Sequence, residues 1–187
     1  MRVGFLLLVC AVMMSAQTRP VSVVIETAAG VIEAEIDTVH APVSAANFLR
    51  YVDAGRYSGG QFHRTVKPDN QPNNLVKIEV IQAGAASGGV DFPAIALERT
   101  SVTGLLHRDG VLSMARDGPD TATSDFFICV GDQPALDFGG KRNPDGQGFA
   151  AFGRVVKGMD VVRKIQAAPA SEQKLTPPVR IVKITRK

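Results

Sequence analysis

A mainly β fold, a barrel of short strands closed at its ends by two helices, is what three features of this sequence predict. Short apolar runs, alternating or β-branched in character, recur along the chain and are separated by clusters of Gly, Pro, Asn and Asp. Only two stretches carry apolar residues at helical spacing, and they lie far apart, so they cap the strands and do not bundle with each other. No internal repeat, heptad pattern or low-complexity tract competes. A chain of 187 residues, 45% of them hydrophobic, supports one well-buried core and hence a single domain. Closing the sheet also removes the exposed edges that many short strands would present.

Taken in order, Val21 to Thr27 alternates, Ala28-Ala29-Gly30 turns the chain, and Val31 to Ile36 alternates again, which predicts an antiparallel hairpin. Pro42 suits a first helical turn; Ala46, Phe48, Leu49, Tyr51 and Val52 then form an apolar stripe that Gly55 stops, giving a helix that lids the sheet. Gln61 to Val66 reads as a strand and Lys77 to Gln82 as another, with the breaker-rich loop Lys67 to Asn74 between them. After a loop at Ser87 to Asp91, a further strand is expected over Ala94 to Arg99. Gln133-Pro134 opens a short turn or helix ending at Asp137, and Phe138 to Gly148 is a second long loop. Phe149 to Val156 predicts a strand, Gly158 to Ala167 a helix with Met159, Val162 and Ile165 inward, and Val179 to Ile184 the last strand.

The N-terminus carries a different signal. Arg2 precedes the apolar run Val3 to Met14, and Ser15-Ala16 supplies small residues, the pattern of a secretory signal peptide over residues 1–16 ahead of a domain at 17–187. That run falls short of the roughly 20 residues a membrane span needs, so no membrane association is expected once the signal is removed. The mature protein is then expected in a periplasm or outside the cell. Cleavage would take Cys10 away and leave Cys129 alone, without an intramolecular disulfide. Cys129 sits in an apolar run and reads as a buried, inert thiol. The net charge of +3 includes no basic cluster interleaved with aromatics, which argues against a nucleic-acid partner.

Chemistry must be sought in Gly110 to Val130, where two strand-like runs flank a loop dense in turn residues. Val111, Leu112 and Met114 end one run, Phe126, Phe127, Ile128 and Val130 begin the next, and Gly118-Pro119 turns the chain between them. By itself this is a long hairpin in an all-β core. The segment also resembles the heart of the cyclophilin family of peptidyl-prolyl cis/trans isomerases, in Leu112 to Ala115, in Gly118-Pro119 and in Ser124 to Ile128. Phe62-His63-Arg64 matches a second family motif at the appropriate earlier place, and the likeness runs from about Val21 to the C-terminus. The resemblance implies an eight-stranded antiparallel barrel with two capping helices, acting without cofactor or metal, as a monomer, on proline-containing polypeptides.

Rotation about a peptide bond faces a barrier of roughly 18–20 kcal/mol because resonance gives the C–N bond double-bond character. A catalyst therefore needs an apolar slot for the proline ring, a fixed donor near the prolyl nitrogen, and polar groups that hold one flanking carbonyl while the other turns. The resemblance assigns the donor to Arg64, whose guanidinium is always charged and offers several fixed N–H groups. It assigns the pocket floor to Phe127, the walls to Met114 and Leu136, backbone contacts to Ala115, and substrate hydrogen bonding to Gln82. Phe62 and His63 are expected to support Arg64. A general-base role for His63 has little appeal, since no proton is transferred.

Departures from the family pattern bear on activity. Phe149 stands where the best-studied members carry a histidine, and Ala135 where they carry the tryptophan that helps bind cyclosporin. Weak cyclosporin binding is expected. Glu79-Val80 replaces a Phe-Met pair, and loops are inserted at Lys67 to Asn74 and around Lys141 to Gly148. A non-catalytic proline-peptide binding module or chaperone of the same fold stays open as the alternative. Other enzyme classes fare badly: His40, His63 and His107 lack metal-ligand spacing, and neither a Gly-x-Ser-x-Gly elbow nor a phosphate loop occurs.

Overall fold

The first two strands pair as the sequence predicts. In the computed structural model, which describes residues 20–187, β1 (Val21–Thr27) and β2 (Gly30–Ile36) form a hairpin in register from Val21 opposite Ile36 to Thr27 opposite Gly30. The expected signal segment lies outside the described residues. Thr27 closes the turn: its Oγ1 accepts from the amides of Ala29 and Gly30, both at 3.1 Å, and donates to the Gly30 carbonyl. Gly30, at φ +144°, is required, because a Cβ there would stand 2.7 Å from Val161 Cγ2 on the helix packed above.

The chain continues through α1 (Pro42–Asp53), β3 (Gln61–Val66), β4 (Val80–Gly84), the single-turn α2 (Thr100–Thr103), β5 (Val111–Met114) and β6 (Phe126–Cys129). It ends with β7 (Ala150–Lys157), α3 (Met159–Gln166), β8 (Ala170–Ser171) and β9 (Lys174–Arg186). All strand pairs are antiparallel, and their order β1-β2-β7-β5-β6-β4-β3-β9 returns to β1, which closes an eight-stranded barrel. The two-residue β8 stands outside the ring as the other arm of a hairpin with β9.

Two helices lid the barrel, and α2 is a turn the sequence did not announce. The buried stripe of α1 runs through Ala45, Phe48, Leu49 and Val52, whereas Ala46, expected in it, faces solvent. Phe48 reaches into the interior and meets Tyr57, Phe126 and Phe152 at ring-centroid distances of 5.2 to 5.3 Å. On α3, Val162 and Ile165 are buried and Met159 partly so.

The strand expected over Ala94 to Arg99 does not form. Only Ile95 makes a bridge, to Ala122, and the segment serves as a strap whose Glu98 carboxylate caps α1, accepting from Val43 N at 3.0 Å and Ser44 N at 2.7 Å. Such a cap contributes about 0.5–2 kcal/mol and satisfies amides that no side chain of the helix itself reaches. The strand expected over Lys77 to Gln82 starts only at Val80. Before it, side-chain amides replace the ladder: Gln71 Oε1 accepts from Ile78 N and Gln133 Oε1 from Glu79 N.

Strand alternation sorts the apolar residues into two cores. Phe126 and Ile128 of β6, Ile81 and Ala83 of β4, and Leu112 and Met114 of β5 fill the barrel. Their neighbours Phe127, Cys129 and Val80 point outward and join Val66, Ile78 and Leu136 in a second cluster, with Ala115 and Phe149 packed against it.

Candidate active site

The second cluster floors a cleft of about 470 Å³, bordered by Arg64, Val80, Gln82, Ala115, Phe127, Leu136 and Phe149. Phe127 is 5% exposed and meets Phe149 edge to face at 5.4 Å and 88°. Beneath it the imidazole of His107 stacks at 5.9 Å and 18°. His107 is gripped at both nitrogens, with Nδ1 2.7 Å from Asp137 Oδ1 and Nε2 2.9 Å from Ser113 Oγ. A carboxylate can only accept, so Nδ1 carries the proton and, in the neutral ring, Nε2 accepts from the serine. This Ser-His-Asp row has the connectivity of a nucleophile relay, but Ser113 and His107 are 0% and 1% exposed and no substrate reaches them. What the row does is hold Phe127 from below.

Arg64 reaches the cleft because of a β-bulge. Phe62 pairs with Ala83 and Arg64 with Gln82, so His63 is an extra residue, and the bulge turns Arg64 outward although Phe62 points into the barrel. Nη1 of Arg64 donates to Gln82 Oε1 at 3.0 Å, and Gln82 Nε2 donates in turn to Asp125 Oδ2 at 2.9 Å. Gly84 makes room for that carboxylate, since a Cβ would stand 2.1 Å from Asp125 Oδ1. On its other side Arg64 donates from Nε and Nη2 to Gln173 Oε1. Burial pushes the guanidinium down from its ordinary pKa, and arginine keeps its charge in proteins.

Both inserted loops reach this region. Arg142, from the second, borders the cleft and donates through Nη1 to Gln71 Oε1 of the first and to Val76 O just beyond it, both at 2.8 Å. Burial, then the nearby charge of Arg64, push its guanidinium down as well. Arg116 pins the second loop from below, with two bonds to Asp145, two to the Gly148 carbonyl, and its guanidinium 5.0 Å from the Phe149 ring centroid.

Six of the eight residues expected at the site therefore meet: Arg64, Gln82, Phe127, Ala115, Leu136 and Phe149. Phe62 and Met114 do not. They are 0% and 1% exposed, and both lie in the barrel core, on the opposite face of strands whose outward neighbours line the cleft. Val80 and Ile78 take the wall that Met114 was expected to supply. His63 stands beside Asp125, with Nε2 3.6 Å from Oδ2, and makes no bond to Arg64. Cys129 is buried in the second cluster, and burial pushes its thiol far up from its ordinary pKa, consistent with an inert side chain. Sequence reasoning missed His107, Arg142 and Gln173. Only the Asp-and-amide contacts assembled by the fold distinguish them from surface polar residues.

An eight-stranded closed barrel carrying an apolar cleft and a fixed guanidinium on its outer face defines a protein of cyclophilin fold. Two crystal structures of a cyclophilin-type peptidyl-prolyl cis-trans isomerase from Cryptosporidium parvum, one in the presence of the dipeptide Ala-Pro, superpose with TM-scores of 0.72 and 0.71 at 23% identity. The first covers 90% of this chain and 98% of the other. Residues 22–186 match the family model for cyclophilin type peptidyl-prolyl cis-trans isomerase/CLD. Peptidyl-prolyl cis-trans isomerase A of Dickeya dadantii is 39% identical over 80% of this chain and 73% of its own length. The isomerase of Acinetobacter baylyi is 39% identical over 78% and 72% respectively. The chain belongs to the cyclophilin-type peptidyl-prolyl isomerase family and is an enzyme of that class.

Proposed function

We propose that this enzyme isomerises X-Pro bonds in exported polypeptides, working as a monomer in the periplasm or outside the cell. The observation that carries the chemistry is the shared cleft: a guanidinium anchored by uncharged amides lies beside an apolar floor. The proline ring seats on Phe127 between Val80 and Leu136. As the bond twists and resonance is lost, the lone pair returns to the prolyl nitrogen, and a free N–H of Arg64 donates to it. Gln82 and the backbone at Ala115 hold the substrate chain while the other carbonyl turns. No covalent bond is broken, so the catalyst needs position and charge alone.

Export rests on Arg2 and the apolar run Val3 to Met14, a signal-peptide pattern. Mass spectrometry of the processed protein tests it, the expected mature N-terminus being Gln17. The activity is tested by proline-limited refolding of a model protein, where acceleration is expected and its absence would overturn the reading. Phe149 and Ala135, where the family's best-studied members differ, favour a second reading, a binder of proline peptides without turnover. Exchange cross-peaks between peptide isomers in NMR spectra separate the two, since a pure binder shifts peptide resonances without producing them.

A further inference from the structure

We infer that Gln173 is a positioning residue for Arg64, delivered by the β8–β9 turn and clamped there by the inserted Lys67 to Asn74 loop. The inference rests on the isomerase reading above and adds the device that aims the donor. Gln173 Oε1 accepts from Arg64 Nε at 2.9 Å and from Nη2 at 2.6 Å, a two-pronged grip on one edge of the guanidinium. Gln82 holds Nη1. Three of the five N–H groups are thereby engaged, and one on each Nη is left to point at a substrate.

The grip is itself held. Gln173 Nε2 donates to the Asn70 carbonyl at 3.0 Å, and its own backbone carbonyl accepts from Thr65 N at 2.8 Å. Asn70 Nδ2 donates to the carbonyls of Thr65 and Glu172, at 3.0 and 2.9 Å. The loop thus ties the end of β3 to the turn that carries Gln173, and its place in the molecule is that of a buttress.

The chemistry of the acceptor matters as much as its place. Among the described residues no carboxylate pairs with Arg64; Asp125, the acid of its network, is kept one amide away by Gln82. An amide oxygen orients a guanidinium without cancelling its charge, and that charge is what a developing lone pair on nitrogen requires. A carboxylate in the same position would orient the group equally well and neutralise it.

A double-mutant cycle with an Ala-Pro tetrapeptide, its isomer exchange followed by NMR, tests this. Gln173→Ala is expected to lower the exchange rate at saturating peptide about tenfold, to leave the peptide Kd within twofold, and to change nothing further in an Arg64→Ala background. A rate within twofold of the intact protein, or an equal loss in both backgrounds, overturns the inference. The Arg64 Nε–H resonance is read in the same samples. It is expected to be sharp and protected from solvent exchange in the intact protein, lost in Gln173→Ala, and kept in Gln173→Glu, whose turnover nonetheless falls. Persistence of that resonance in Gln173→Ala overturns the positioning role whatever the turnover; absence of exchange catalysis by the intact protein overturns the isomerase reading instead.

Discussion

Phe127 lies on the face of a buried His107, whose two ring nitrogens are fixed by Asp137 and Ser113. The floor of the cleft is therefore set by a polar row inside the protein and not by apolar packing alone. A ring held at both nitrogens cannot tilt, and Phe127 above it cannot sink.

Asp137→Ala leaves a buried N–H of His107 without a partner and is expected to cost about 1–3 kcal/mol of stability. Urea unfolding measures the loss. Peptide titration should show weaker binding in the same variant as Phe127 gains freedom; unchanged stability and unchanged affinity together would refute this account of the floor.

Arg64→Ala should reduce kcat/KM by about 10²-fold, the usual effect of removing one preorganised donor. Arg64→Lys should recover little of it. An ammonium has no planar fork to bridge Gln82 and Gln173 while presenting further donors. Peptide isomerisation by NMR exchange reads both variants, and an Arg64→Ala enzyme as fast as the intact one contradicts the mechanism.

Stability is expected to fall on the acid side. Burial acts to raise the Asp137 carboxyl, but hydrogen bonds from His107 outweigh it and hold the group below its ordinary range. Hydrogen bonds from Arg116, Arg186 and Arg108 do the same, with less opposition from burial, for Asp145, Asp53 and Asp132. Each folded value lies below the unfolded one. The stability these carboxylates contribute is complete above the unfolded range near pH ~4 and is lost as pH falls through the folded values. Thermal melts across pH 3 to 8 check the limb; a Tm that rises on acidification contradicts it.

Cyclosporin is expected to bind weakly. Ala135 stands where the family's best-studied members place a tryptophan, and the chain contains none. Calorimetry should give a Kd in the micromolar range or weaker, and a submicromolar value, stronger than about −8 kcal/mol, would contradict the prediction.

Much of this protein was legible in its residue pattern. The strand Gln61–Val66 falls where Gly60 and Pro68 bound it, and the α3 helix where Met159, Val162 and Ile165 recur at helical spacing. Ala94 to Arg99 misled because an extended strap and a strand share local conformation; only the docking of Glu98 on a helix some fifty residues away separates them. The first half of β9 was invisible because Pro177 and Pro178 lack amide donors and interrupt the strand pattern.

The sequence by itself determined the closed β architecture and the capping helices, because periodicity and turn chemistry are local properties, while the residues that meet at the cleft were indicated by its resemblance to a known family. It could not determine the direction in which each side chain points. A regular strand would set Phe62 and Arg64 on one face, and a single extra residue at His63 reverses the second. That bulge exists only once β3 is paired with β4, so the placing of the guanidinium outside the barrel, against Gln173 from the far end of the chain, belongs to the tertiary structure alone.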